Sequence, residues 1–258
     1  MNLLVLIQKI FEQAPIFVLV FFRVAGLMTL APLLGSVIIP VKIKILLALT
    51  LSAMVFPLVP QSAVVPSSWA GLAFGVASEM LIGITMGFAL SMLFDGIQVG
   101  AILVSQQMGL SLAQLIDPNS LISTTVLSQL YVLLTTLIYV LLNGHLVLIN
   151  ALINTFHSVP LMSFTPDLNI LDLLVKILTG AFMLGIRVAG PVLIAIFLAD
   201  LAMGFISRTM PQLNILAAGF PIRICLSLSI LIASLGTVCV LFQDSLDMIL
   251  RTIGKMFI

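Results

Sequence analysis

Residues 69–94 read WAGLAFGVASEMLIGITMGFALSMLF. The run carries one carboxylate, Glu79, and no basic residue, and roughly 20 consecutive apolar residues suffice to cross a bilayer core as a helix. A helix satisfies its own backbone polar groups, which lipid cannot do for it. The stretch therefore predicts an all-α integral membrane protein, and the pattern recurs on both sides of it. Apolar segments lie at about 14–39, 43–60, 122–150, 171–203 and 214–243, giving about six with the one quoted. Several exceed the minimum, which predicts tilt, kinks, or helices continuing outside lipid within a protein assembly.

Composition agrees. The chain of 258 residues is 62% hydrophobic and only 7% charged, against about 25% charged in an ordinary soluble domain. Water around such a surface would drive aggregation. Ten Lys plus Arg against nine Asp plus Glu leave a net charge of +1, too little to build a broad basic surface, so nucleic-acid binding is excluded. Basic residues also fail to orient the chain. On a six-span reading Lys9, Arg251, Lys255 and Lys176 face Lys42, Lys44 and Arg208, nearly a tie. Cys225 and Cys239 share one apolar run, where a disulfide would require the helix between them to break; both read as small buried hydrophobes. The run after Lys9 passes Gly26 without an Ala-x-Ala site, so the N-terminal segment is expected to belong to the working protein. With no internal repeat and no polar linker, residues 1–258 read as a single membrane domain.

Prolines mark the breaks. Pro32 and Pro40 bracket a first turn and Pro57, Pro60 and Pro66 crowd a second, because each removes a backbone donor and disfavours helix before it. Pro191 and Pro221 sit within apolar runs and predict kinked helices. Gly71-x-x-x-Gly75 and Gly83-x-x-x-Gly87 would notch one side of the third segment and admit another backbone.

Three sets of residues could carry function. The first is the break from Ser105 to Ser120, which mixes polar and flexible positions with Met108, Leu110, Leu112, Leu115 and Ile116. Gly109 permits a bend and Asp117-Pro118 sets a turn, so the region is either an interfacial connector or a segment that folds back to seal a channel. The second set is the charges inside apolar runs, Arg23, Glu79, Asp95, Arg187, Asp200 and Arg223, each of which must face protein, water or a headgroup. Glu79 reads as one end of a structural hydrogen bond or ion pair inside an assembly or, alternatively, as a proton relay. Arg187 and Asp200 are thirteen residues apart, about 20 Å along a straight helix, and need partners elsewhere. The third set is Arg208, Gln212 and Asn214 around Pro211, either a membrane-surface turn or donors placed to satisfy a helix end. His145 and His157 lack accompanying ligands for a metal site. Neither a nucleotide-cradling loop nor a hydrolase elbow is present, so no enzyme activity and no cofactor are expected.

Several motifs, in order, resemble the FliR/SctT family of type III export-gate subunits, most closely its flagellar branch. They are Arg23-Val24-x-x-Leu27 with Ala31-Pro32, Pro40 and Lys42-x-Lys44; Gln107-Met108-Gly109-Leu110-Ser111 with Asp117-Pro118; Asn143-Gly144-His145-Leu146; Phe156-His157-x-x-Pro160; Arg208-x-x-Pro211-Gln212-Leu213-Asn214; and Gly219-Phe220-Pro221. The resemblance covers essentially the whole chain. It implies one copy of this chain with five P-type and four Q-type subunits in a closed helical cone of kinked hairpins, contacted by A-type and B-type export proteins. It also implies a place in the bacterial inner membrane within the flagellar basal body, partly raised toward the periplasm, and passage of unfolded export substrates. Met108, Leu110, Leu112 and Leu115 would be the apolar plug, shaped by Gly109, Asp117 and Pro118. Arg23, Lys42, Lys44, Glu79, Arg208, Pro211, Gln212, Asn214 and Pro221 would be structural or subunit contacts. The family often has an aromatic near position 112, where this chain has Leu112. A virulence-type export gate and a small-solute secondary transporter using Glu79 or Asp200 are the competing readings.

Overall fold

The computed structural model describes residues 3–36, 38–60, 68–110, 126–163, 169–210 and 215–256. These form seven α-helices and one short 3-10 turn, Phe56–Leu58: α1 (Leu3–Leu30), α2 (Val41–Val55), α3 (Trp69–Met108), α4 (Val126–Leu141), α5 (Gly144–Ser158), α6 (Asn169–Thr209) and α7 (Ile215–Met256). Five stretches are long and apolar enough to cross a membrane, and the bent pair α4–α5 raises the count to six if taken as one span. The protein is an all-α, multi-span membrane protein, as the hydropathy pattern predicts.

The breaks have local causes. After Leu30 the Ala31 amide still donates to the Leu27 carbonyl, but Pro32 follows and Leu33 takes φ 71°. The chain then turns with the Gly35 amide on the Ala31 carbonyl, and Lys44 Nζ, one turn into α2, donates to the Gly35 carbonyl at 2.9 Å. Between α4 and α5, Asn143 adopts a left-handed conformation (φ 54°), which a short polar side chain tolerates. Pro15, Pro191 and Pro221 are all accommodated inside helices.

Three helices run further than hydropathy indicates. α3 continues past 94 to Met108, and α6 and α7 pass 203 and 243. Ser105, Gln106, Gln107 and Met108, read from sequence as part of a break, are therefore the last turn of α3. Asp95, Gln98, Gln106 and Gln107 lower the hydropathy, while the three glutamines are good helix formers.

The helices gather into two compact units, one of residues 1–92, 143–177 and 246–258, the other of 93–142 and 178–245. In the first, α1 lies backbone to backbone on the front of α3. A Cβ on Gly26 would sit 2.5 Å from the Met80 carbonyl oxygen, and one on Gly87 would sit 2.6 Å from that of Leu27. The notch predicted at Gly83 and Gly87 is thus filled by α1 of the same chain. In the second unit the rear of α3 meets α6 equally closely, a Cβ on Gly100 falling 2.5 Å from the Gly185 carbonyl oxygen. Phe94 stands edge-on to Tyr139 and Phe242, with centroids 5.6 and 5.7 Å apart.

Candidate functional site

The first unit is built around a fully buried ion pair. Arg23 of α1 donates from Nε to Glu79 Oε2 of α3 at 2.5 Å, both side chains being wholly inaccessible. Its two terminal nitrogens each find an acceptor in α5 or the turn beyond: Nη1 donates to Thr155 Oγ1 (3.4 Å) and Nη2 to the Val159 carbonyl (3.2 Å). The guanidinium carbon lies 4.3 Å above the Phe156 ring centre, a favourable cation–π distance. Glu79 Oε1 accepts from the Met162 amide at 3.1 Å. Two charges in an apolar interior demand such a shell of partners. Both oxygens of Glu79 are engaged, so the side chain is a clamp holding α1, α3 and the turn after α5, which gives no support to its use as a coupling acid.

In the second unit Arg223 Nε of α7 donates to Asp200 Oδ1 of α6 at 2.7 Å, about a third of each side chain remaining accessible. That supplies the partner Asp200 requires. Arg187 is exposed, and an exposed Asp172–Lys176 pair sits on the first turns of α6.

The end of α3 has a defined geometry. The Gly109 amide donates to the Gln106 carbonyl and the Leu110 amide to the Ser105 carbonyl, at 3.0 and 3.1 Å, with Gly109 at φ 80°. This pair of bonds around a left-handed glycine is the Schellman termination of a helix. Met108 is fully buried and Leu110 half-buried. Gly109 is brought against Phe220 near the start of α7, joining two motifs far apart in sequence. Leu112, Leu115, Asp117 and Pro118 lie outside the described residues, as do Pro211, Gln212 and Asn214. Lys42, Arg208 and Pro221 are exposed.

Sequence reasoning missed Thr155, Phe156, Val159 and Met162 as partners of Arg23 and Glu79. It drew attention to this segment through His157, which is exposed; the signal was the neighbouring small hydroxyl and aromatic one helical turn before Pro160. Among the described residues no group of three or more His, Cys, Asp and Glu could hold a metal ion. Both cysteines are free, and Cys225 is exposed rather than buried.

Residues 14–249 match the family described as bacterial export proteins, family 1. The chain is similar to the flagellar biosynthetic protein FliR of Buchnera aphidicola subsp. Acyrthosiphon pisum (strain APS), 32% identical over 209 residues that cover 81% of each chain. Its similarity to the Escherichia coli (strain K12) protein of that description is 32% over 211 residues, 82% of this chain and 80% of the relative. For the Bacillus subtilis (strain 168) protein it is 26% over 254 residues, 96% and 97%.

Proposed function

This chain belongs to family 1 of the bacterial export proteins, and from that premise we propose that it is the single-copy R-type subunit of a flagellar type III export gate. The observation that carries the reading is its likeness to flagellar biosynthetic proteins over about four fifths or more of both chains. The chain works as a structural part of a closed but openable conduit for unfolded flagellar proteins. It sits with P-type and Q-type subunits in the inner membrane of the basal body, partly raised toward the periplasm, and contacts A-type and B-type export proteins. The apolar residues after α3 supply the closure: Leu110, Leu112 and Leu115 form a dry constriction that resists water and ions. Met108, buried in the chain's own core, anchors the helix from which that closure springs.

Gentle detergent purification followed by mass measurement tests the assembly. One copy of this chain with five P-type and four Q-type subunits is expected, and a stable homo-oligomer overturns the reading. Replacing Leu110, Leu112 and Leu115 together with serine should raise ion conductance of the verified complex in planar bilayers, with assembly intact. Unchanged conductance overturns the closure. Loss of flagella on deletion is expected, whereas loss of virulence secretion alone would reassign the system.

A further inference from the structure

Arg23 and Arg223 both pair with a carboxylate between apolar helices, yet only Arg23 finds an acceptor for each of its three nitrogens. Arg223 uses Nε alone, on Asp200 Oδ1. Among the described residues nothing accepts from its Nη1 or Nη2, and nothing donates to Asp200 Oδ2. About a third of each side chain is accessible, and the surface around the pair is apolar. Phe197, one turn before Asp200 in α6, is exposed, and so is Ile222 beside Arg223. Gly204, one turn after Asp200, has nothing within 4 Å of where a Cβ would stand, so another backbone can come close there. Ser207, Arg208 and Thr209 end α6 in a polar boundary. Asp200 lies nine residues before Thr209, and Arg223 eight after Ile215, about 14 and 12 Å inside that end of the hairpin. The carboxylate thus holds the guanidinium at depth instead of letting it snorkel to a headgroup, which disfavours a lipid phosphate as the missing partner.

Unmet guanidinium nitrogens and an unmet carboxylate oxygen in an apolar setting demand partners. The pair is already neutral, so a third charge would leave the cluster charged away from water. A carboxamide fits, because its carbonyl accepts and its NH2 donates from separate atoms of one group. We propose that Asp200 and Arg223 form a docking point for a membrane helix of a neighbouring chain that presents an Asn or Gln. The carbonyl of that side chain takes a hydrogen bond from Arg223, and its amide gives one to Asp200 Oδ2. The proposal rests on the assembly reading above only in making that neighbour a sister subunit.

The test uses the complete complex in native membranes. A benzophenone amino acid in place of Phe197 should, on illumination, join this chain to another, and mass spectrometry of the linked peptides should find an Asn or Gln within two turns of the linked residue. Arg223→Lys keeps a cation for Asp200 but loses the second and third donor nitrogens. It should lower the yield of intact complex several-fold, with the amount of the chain in the membrane unchanged. Replacing the partner's Asn or Gln with Leu should lower the yield as much, and combining the two variants should add little, as for groups in direct contact. Strictly additive losses overturn the proposal, and so does a link to lipid alone, to no chain, or to a helix without Asn or Gln. If Arg223→Lys fails to accumulate, the cross-link and the partner's Leu variant decide alone. A link to an Asn or Gln of a second copy of this chain would uphold the docking point while overturning the single-copy assembly.

Discussion

Arg23 is fully buried yet donates to a carboxylate, a hydroxyl and a carbonyl, so the cost of altering the pair depends on what is left behind. Glu79→Gln keeps an oxygen for the Met162 amide but strands the guanidinium charge in an apolar interior, a change that typically costs about 3–5 kcal/mol. Arg23→Met combined with Glu79→Gln removes both charges and should cost markedly less. Thermal unfolding of the detergent-purified complex checks the order; equal losses for single and double variants would contradict it. Both members of this pair are visible in the sequence as charges out of place, and so are Asp200 and Arg223. Their pairing is not, because Arg23 and Glu79 lie 56 positions apart and nothing in either segment names the other. Thr155 and Phe156 were harder still to see, since a threonine and a phenylalanine in an apolar helix read as ordinary core.

At the scale of the helices, close approach depends on which glycines face another backbone. Gly100 lies against the Gly185 carbonyl, while Gly180, on the same helix as Gly185, has nothing within 4 Å of where its Cβ would be. Gly100→Ala should therefore push α3 from α6 at a cost of about 1–3 kcal/mol, the usual range for overpacking. Gly180→Ala should be neutral or stabilising by up to about 1 kcal/mol through helix propensity. Opposite shifts in unfolding temperature are expected, and a loss at Gly180 as large as at Gly100 would show the spacing to be misjudged. Glycine spacing alone marks Gly83 and Gly87 as a notch but does not say that α1 fills it. The end of α3 was misplaced for a related reason: hydropathy registers Asp95, Gln98, Gln106 and Gln107 as polar, whereas the backbone registers them as helix. The real stop signal is Gly109, legible as a helix terminator once the helix is allowed to run that far.

The molecule as a whole leaves much apolar side-chain surface uncovered. In α2 only Ala48, Ser52 and Val55 are buried, while Leu46 is 67% exposed, and in α6 Ile194 is 63% exposed. A soluble protein rarely shows contiguous patches of this kind, and it accepts surface substitutions within about 0.5 kcal/mol. The medium touching these positions can therefore be read by placing a charge there. If water covers them, Leu46→Arg and Ile194→Arg will be silent. If lipid or an apolar subunit covers them, each arginine costs about 2.5–3.5 kcal/mol at the centre of a spanning helix, on the scale derived from membrane insertion. The membrane fold and the proposed assembly both require the second outcome. The yield of intact complex should fall steeply for each variant, while Leu46→Met and Ile194→Met, which keep the apolar surface, leave it unchanged. Silence at both positions would mean that water reaches these faces and that neither lipid nor a sister subunit lies against them.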